Sequence, residues 1–352
     1  MASNKDISST LERIADVFKE HVKFQSDTDA DVLAVWTAMT YVMDHLEIAP
    51  MLYINSPVAQ CGKSTVLKLL SAFCNNSRMV SKISPAAIYR IIERDQPTLL
   101  FDEADRFLRG NNDRNGIINA GHARFEATVI INKKLPDGNY EPVEFPVWCA
   151  KAIAGIGKQE DTLTSRSIVI SLRRKLISEI VKPIRFNMFQ EYEFVRESLD
   201  AWATNFEPIS EQEMEPFLKA STDRGIDNWL ALGIIARRVG NYWEQRIQDG
   251  LTVIEQRTHS DSQSIGIQLL NDIRSVVSAD TKPEWTSTDL YNKVVYNDEN
   301  DWVRFDHGRE ITKKKFTQML SEFGVTPKKQ QKANVFYISD LEDAFKRYLP
   351  PV

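Results

Sequence analysis

The chain has 352 residues, 42% hydrophobic and 26% charged, with a formal net charge of -5. That length exceeds what one hydrophobic core usually serves, so two or three domains are expected. The acidic balance excludes a blanket attraction to nucleic acid, and any DNA contact must be local. Three cysteines without metal-ligand spacing, Cys61, Cys74 and Cys149, read as thiols of a reducing cytoplasm. The N-terminus is polar and no apolar run approaches the ~18 residues of a membrane span, so a cytoplasmic protein that is neither exported nor inserted is expected.

In chain order, Ile7, Leu11, Ile14, Val17 and Phe18 recur at helical spacing, which predicts a helix over 8–24 with Ser8, Ser9 or Thr10 as its cap. A second helix follows, with Asp29 or Asp31 as cap and a buried stripe of Val32, Val35, Trp36, Met39, Val42 and Met43. Met51 to Ile54 then reads as a short buried strand, followed by a polar loop and a helix whose apolar face is Val66, Leu67, Leu69 and Leu70. The end of the phosphate-loop pattern G-x-x-x-x-G-K-[ST] is met at Gly62, Lys63 and Ser64, with Thr65 behind, and Ser56 is read in place of its first glycine. In such a loop, backbone N–H groups at a helix N-terminus surround phosphate oxygens. Lys63 is expected to reach the outer phosphates and Ser64 to offer its hydroxyl to Mg²⁺, with Ser56, Gln60, Cys61, Gly62 and Thr65 completing the ATP contact. The alternative is a chance turn before a core helix.

A further signal lies some 35 residues on, where Thr98-Leu-Leu-Phe-Asp-Glu-Ala-Asp105 is an apolar strand ending in adjacent acids. Asp102 is the expected Mg²⁺ carboxylate and Glu103 the residue that orients the attacking water. Before it, Ser84 and Pro85 open a helix that Pro97 closes. Arg106 to Gly116 reads as an exposed loop and Ile117 to His122 as helix. From Thr128 to Trp148 the period becomes two, giving a β-hairpin with Asp137-Gly138 at its tip; Lys133 and Lys134 near that tip are either solvated surface or a nucleic-acid contact.

Two more apolar strands follow, from Lys151 and from Ser167, and between them Arg166 occupies the place of an arginine that reaches a neighbouring subunit's γ-phosphate. The other reading is a surface arginine paired with Asp161 or Glu160. Residues 181 to 250 read as helices forming a lid over the nucleotide. Arg224 near the start of one of them is a second candidate nucleotide contact, or an internal partner of Asp227. Residues 251 to 264 look like a linker. Beyond it, helix, helix, basic helix and wing follow in the order of a winged helix, with Lys313, Lys314, Lys315, Lys328, Lys329 and Lys332 as a basic face for DNA or a solvated lysine surface.

The series S-P-x-x-x-C-G-K-S-T, I-S-P-A-A-I-Y-R, P-T-L-L-F-D-E-A-D, G-H-A-R, K-A-I-A-G-I-G, L-T-S-R-S-I-V-I-S-L-R-R and D-R-G-I-D-N-W resembles an uncharacterised domain family of phages, plasmids and mobile elements. Its members are often fused behind primase modules and are regarded as helicase-like AAA+ ATPases. The resemblance runs from about residue 20 to 349; with the reading of the residues it gives an expected α/β fold, an AAA+ type P-loop NTPase core at 49–180 behind a helical segment at 1–48, a helical lid at 181–255 and a winged-helix domain at 265–352. It implies a nucleotide site of Lys63, Ser64, Asp102 and Glu103, Arg166 as an arginine finger, and a Lys133/Lys134 hairpin similar to that of superfamily-three helicases. The expected function is an ATP-hydrolysing helicase or translocase on single-stranded or origin DNA, assembled as a ring, hexameric by expectation, beside a separate primase. The alternative is a regulatory ATPase switch that remodels or recruits a protein partner. Two departures stand out: Gly155 to Gly157 offers no polar first sensor, and none of the 352 residues reads as a primase module, so a separate primase is expected.

Overall fold

The structure, a computed structural model, describes residues 4–56, 60–103, 112–156, 161–176, 178–184, 188–215, 223–261, 265–280, 282–297, 301–305, 310–321, 323–330 and 333–349. The chain forms two compact units, Met1–Arg257 and Thr258–Val352.

The first unit is a mixed α/β assembly around a parallel five-stranded sheet. Its strands are β1 (Met51–Ser56), β2 (Ser77–Val80), β3 (Thr98–Phe101), β6 (Lys151–Ile156) and β7 (Ser167–Ser171), in the order β2-β3-β6-β1-β7. The runs MLYI, TLLF and KAIA read as continuous apolar segments because both faces of these strands are covered, as a parallel sheet requires. Tyr53 pairs with Ile153 on one side and Val169 on the other, so β1 lies inside the sheet and its two ends open on opposite edges. The antiparallel hairpin of β4 (Thr128–Lys134) and β5 (Tyr140–Pro146) turns at Asp137-Gly138, where Gly138 takes a φ of +89° that glycine accepts without strain.

The helices depart from expectation in instructive ways. Helix α1 (Asn4–His21) begins before the hydroxyl run expected to cap it. Thr10 Oγ1 instead donates to Asp6 O at 2.9 Å within the helix, and Ser8 Oγ accepts the Trp243 indole N–H at 3.0 Å. Helix α2 (Thr28–Met39) ends earlier than expected and is buried along its length from Asp29 to Met39. Asp29 and Asp31 therefore do not cap it; Asp29 pairs with Arg257 at 3.0 Å, and Asp31 with Arg246 and with Lys19 at 3.4 Å. Helix α3 (Lys63–Phe73) follows β1, and α4 (Pro85–Asp95) carries the expected cap, Ser84 Oγ accepting the Ala87 N–H.

The helix Asp223–Val239, expected in a lid, packs on α1 and α2, where Trp229, Leu232, Ile235 and Ala236 are buried. The helix Asn241–Asp261 runs through most of the stretch that reads as a linker. Its buried Leu251 and Ile254 continue the helical apolar spacing through those polar residues.

The second unit is built in the order helix Ile265–Ser278, β8 (Glu284–Thr286), helix Ser287–Val295, helix Lys313–Ser321, β9 (Lys328–Gln330), β10 (Ala333–Tyr337) and helix Ile338–Tyr348. An antiparallel sheet runs β8-β10-β9, and Trp285, Leu290, Phe316, Phe336 and Leu341 fill the core. Thr286 Oγ1 accepts the Asp289 N–H at 3.1 Å and caps the second helix. Strand β8 escapes sequence reading because three residues carry no period.

Candidate functional site

At the C-terminal end of β1 the chain enters a cleft of about 540 Å³, a volume suited to a nucleotide-sized ligand. Counting back five residues from Gly62 places the pattern's first glycine at Pro57, outside the described residues, and not at Ser56 as expected. Ser56 is the buried last residue of β1, and its Oγ accepts a 2.6 Å hydrogen bond from Lys63 Nζ. The hydroxyl holds the ammonium at the mouth of α3. Gly62, at the head of α3, takes a φ of +97°. A Cβ there would meet only Val22 Cγ1 at 3.5 Å, so the backbone conformation and not space demands glycine.

β3 leads its carboxylates to the same place. Ser64 Oγ donates to Asp102 Oδ2 at 2.9 Å, and the Glu103 N–H donates to Asp102 Oδ1 at 2.9 Å. Gln60 and Glu103 both adopt left-handed backbone, with φ of +64° and +55°. Two such non-glycine residues in one cleft mark locally strained backbone, costing roughly 1–3 kcal/mol each. The structure thus brings Gln60, Cys61, Gly62, Lys63, Ser64, Thr65, Asp102 and Glu103 together around the cleft.

The remaining wall was not expected. His21, Val22 and Lys23 at the end of α1, and Arg173, Lys175 and Val181 after β7, line the cleft, while no described residue of 188–257 does. Arg174 Nη2 also donates to Gln60 Oε1 at 3.2 Å. Lys23, Lys63, Arg173 and Lys175 line the cleft with Asp102 and Glu103, and although Glu179 pairs with Arg173 at 3.0 Å, the cations still outnumber the carboxylates, a balance that attracts a polyanion. The Arg-Arg-Lys run after β7 was the sequence signal for part of this wall. Ile156, at the end of β6, stands where a polar sensor was missing; Gly157 lies outside the described residues.

Arg166 and Arg224 lie elsewhere. Because Ser167 pairs with Met51, Arg166 sits where β1 begins, at the opposite edge of the sheet and on the order of 17 Å from the cleft by strand rise. Arg166 Nη1 donates to Thr162 O at 2.9 Å, and Arg224 Nη1 donates to Ser165 Oγ at 3.3 Å. Arg224 therefore does not contact the cleft of its own chain, contrary to its expected place there. Burial and then the neighbouring Arg224 push the Arg166 guanidinium below its ordinary pKa, with Glu126 opposing. Glu160 lies outside the described residues, as does Lys332.

The hairpin lysines are exposed but do not share a face. Lys133 faces Glu141 and Lys134 faces Tyr140 across the strands. Thr128–Pro146 holds these two lysines against Asp137, Glu141 and Glu144, a net charge of 2 - 3 = -1. In the second unit, Lys313, Lys314, Lys315, Lys328 and Lys329 are exposed, although Lys328 pairs with Asp340 at 2.9 Å. Cys61, Cys74 and Cys149 are buried and unbridged, and burial pushes the Cys74 thiol up to about 12. Among the described residues no helix is long and apolar enough to cross a membrane, and no cluster of three or more His, Cys, Asp or Glu side chains forms a metal site.

The chain is thus a mixed α/β protein with a parallel central sheet. Residues 171–348, about half the chain, match the family described as "Protein of unknown function (DUF3631)", and the chain belongs to that family. No curated protein matches the sequence. Among solved structures, the A form apo structure of the NrS-1 C-terminal region is similar with a TM-score of 0.40 at 13% identity, over 94% of this chain and 74% of that one. A full-length MCM homolog from Methanopyrus kandleri is similar with a TM-score of 0.46 at 9% identity, over 72% of this chain and 60% of that one. Both likenesses are too distant to bear on function.

Proposed function

We propose that the chain is a P-loop ATPase of AAA+ type, and that the Ser64–Asp102 hydrogen bond across the head of the sheet is the observation that carries this reading. A hydroxyl and a carboxylate brought together from β3 and α3 are the oxygen donors that suit Mg²⁺, which keeps its other positions for phosphate and water. Bound there, Mg²⁺ would neutralise charge on the outer phosphates. Lys63 would leave Ser56 for the terminal phosphate, the N–H groups opening α3 would hold the inner phosphates, and Glu103 would orient the attacking water and take its proton. Arg166 and Arg224, out of reach of their own cleft, would serve the nucleotide of a second copy, which makes a ring, hexameric in our reading, the working form.

The coupled work is translocation or unwinding of single-stranded DNA for a mobile or phage-like element, with the second unit, read as a winged helix, supplying Lys313, Lys314, Lys315, Lys328 and Lys329 to phosphates. Steady-state ATPase activity with and without single-stranded DNA, at two salt concentrations and with Glu103→Gln as blank, tests it. Stimulation that fades as salt rises supports a DNA motor. One observation favours the protein-partner switch instead: the hairpin is net acidic and exposes Ile130 and Tyr140, chemistry that suits a protein better than a phosphate backbone. Turnover indifferent to DNA would select that reading.

A further inference from the structure

His122, Lys151 and Asn228 take no part in the nucleotide chemistry above, yet Asn228 links them to the turn that bears Arg166. Asn228 Nδ2 donates to Ser165 O at 3.0 Å, so its Oδ1 is left to accept from His122 Nε2 at 2.7 Å. The amide oxygen thereby requires a proton on Nε2, while burial favours the neutral form of the ring. His122 is 6% exposed and Asn228 5%, and breaking this pair would strand buried polar groups. Behind it, the Lys151 ammonium, 1% exposed, donates to Gly121 O and Cys149 O at 2.9 Å each. Gly121 admits this approach because a Cβ there would fall 2.1 Å from Val147 O and 2.4 Å from Lys151 Nζ. In front, Ser165 Oγ accepts from Arg224, and Thr162 O accepts from Arg166.

We infer that His122 and Asn228 are positioning residues for Arg166 and Arg224, holding the Ser165–Arg166 turn so that both guanidinium groups meet a nucleotide bound to a second copy. The inference rests on reading these arginines as acting in trans. The network ends on two neighbouring guanidinium groups, whose mutual repulsion Glu126 offsets only in part and an arriving polyphosphate would relieve. The neutral imidazole is the donor that adds no further cation beside Arg166, Arg224 and Lys151.

The test is a double-mutant cycle on the full chain, read as kcat and KM for ATP. Asn228→Ala should keep KM within about twofold and lose about 10- to 100-fold in kcat, the cost of misplacing a group by roughly an ångström. Arg166→Ala/Asn228→Ala should be no slower than Arg166→Ala alone. Losses that multiply would overturn the relay and leave the arginine reading standing. Native turnover in Arg166→Ala would overturn both. His122→Gln, which keeps an N–H near the Nε2 position, should retain most of the rate that His122→Ala loses. This pair decides the matter even where Asn228→Ala does not fold, since equal rates for the two would contradict the relay.

Discussion

The two edges of the parallel sheet handle charge in opposite ways. At the C-terminal edge the groups suited to phosphate and metal are paired with one another, Lys63 with Ser56 and Ser64 with Asp102. At the other edge Arg166 and Arg224 share one small turn, and neutral groups hold that turn in place. A self-satisfied cleft is stable without ligand and opens by exchanging one set of bonds for another. At the arginine edge Glu126 offsets only part of the positive charge, which leaves that edge suited to an anion. One edge reads as a receiver of nucleotide, the other as a donor to someone else's.

The widest separation of the edges should come from Arg166→Ala. It should leave nucleotide affinity intact and lower kcat by about 10³-fold or more, the scale of a lost arginine finger, in a single-turnover assay. At the cleft, Glu103→Gln should also bind ATP while losing roughly 10²- to 10⁴-fold of hydrolysis, as expected for a general base. Weakened binding in that variant would move Glu103 from catalysis to ligand binding. Lys63→Ala should do the reverse of both and weaken ATP binding by about 10- to 100-fold or more, as followed by fluorescent-nucleotide titration; the range corresponds to one lost charged hydrogen bond.

Stability should sharpen the contrast at a smaller scale. Lys151→Met strands the Gly121 and Cys149 carbonyls and should lower unfolding stability by about 1–3 kcal/mol in a denaturant titration. The smallest effect is pH dependence. Burial holds the His122 pKa below its ordinary value, with Asn228 opposing and Arg166, Lys151 and Arg224 adding to the depression. As pH falls below about 6.5 the unfolded chain takes up that proton before the folded one, so this contribution to stability is lost with falling pH. The thermal midpoint should drop between about pH 7 and pH 5.5, and drop less in His122→Gln.

The strands and the core of the cleft were legible because their signals are local. Buried parallel strands are short apolar runs; Asp102-Glu103 directly follows β3, and Gly62-Lys63-Ser64 opens the helix that comes after β1. Helix starts were less legible where a hydroxyl such as Ser8 or Thr10 serves a tertiary or internal bond and not a cap. The cleft's third wall was out of reach because His21 and Lys23 meet Arg173 and Lys175 only through packing of distant segments. Arg224 was assigned to the wrong edge for the same reason. Its helix looked free to cover the nucleotide, but α1 and α2 occupy its apolar face.

The most direct test of a site shared between two edges is the ATPase activity of mixed variants. Lys63→Ala and Arg166→Ala should each be nearly inactive alone. Mixed, they should regain activity with a maximum at intermediate ratios, since some interfaces then pair an intact cleft with an intact arginine edge. Mixtures no more active than the sum of their parts at every ratio would contradict the account.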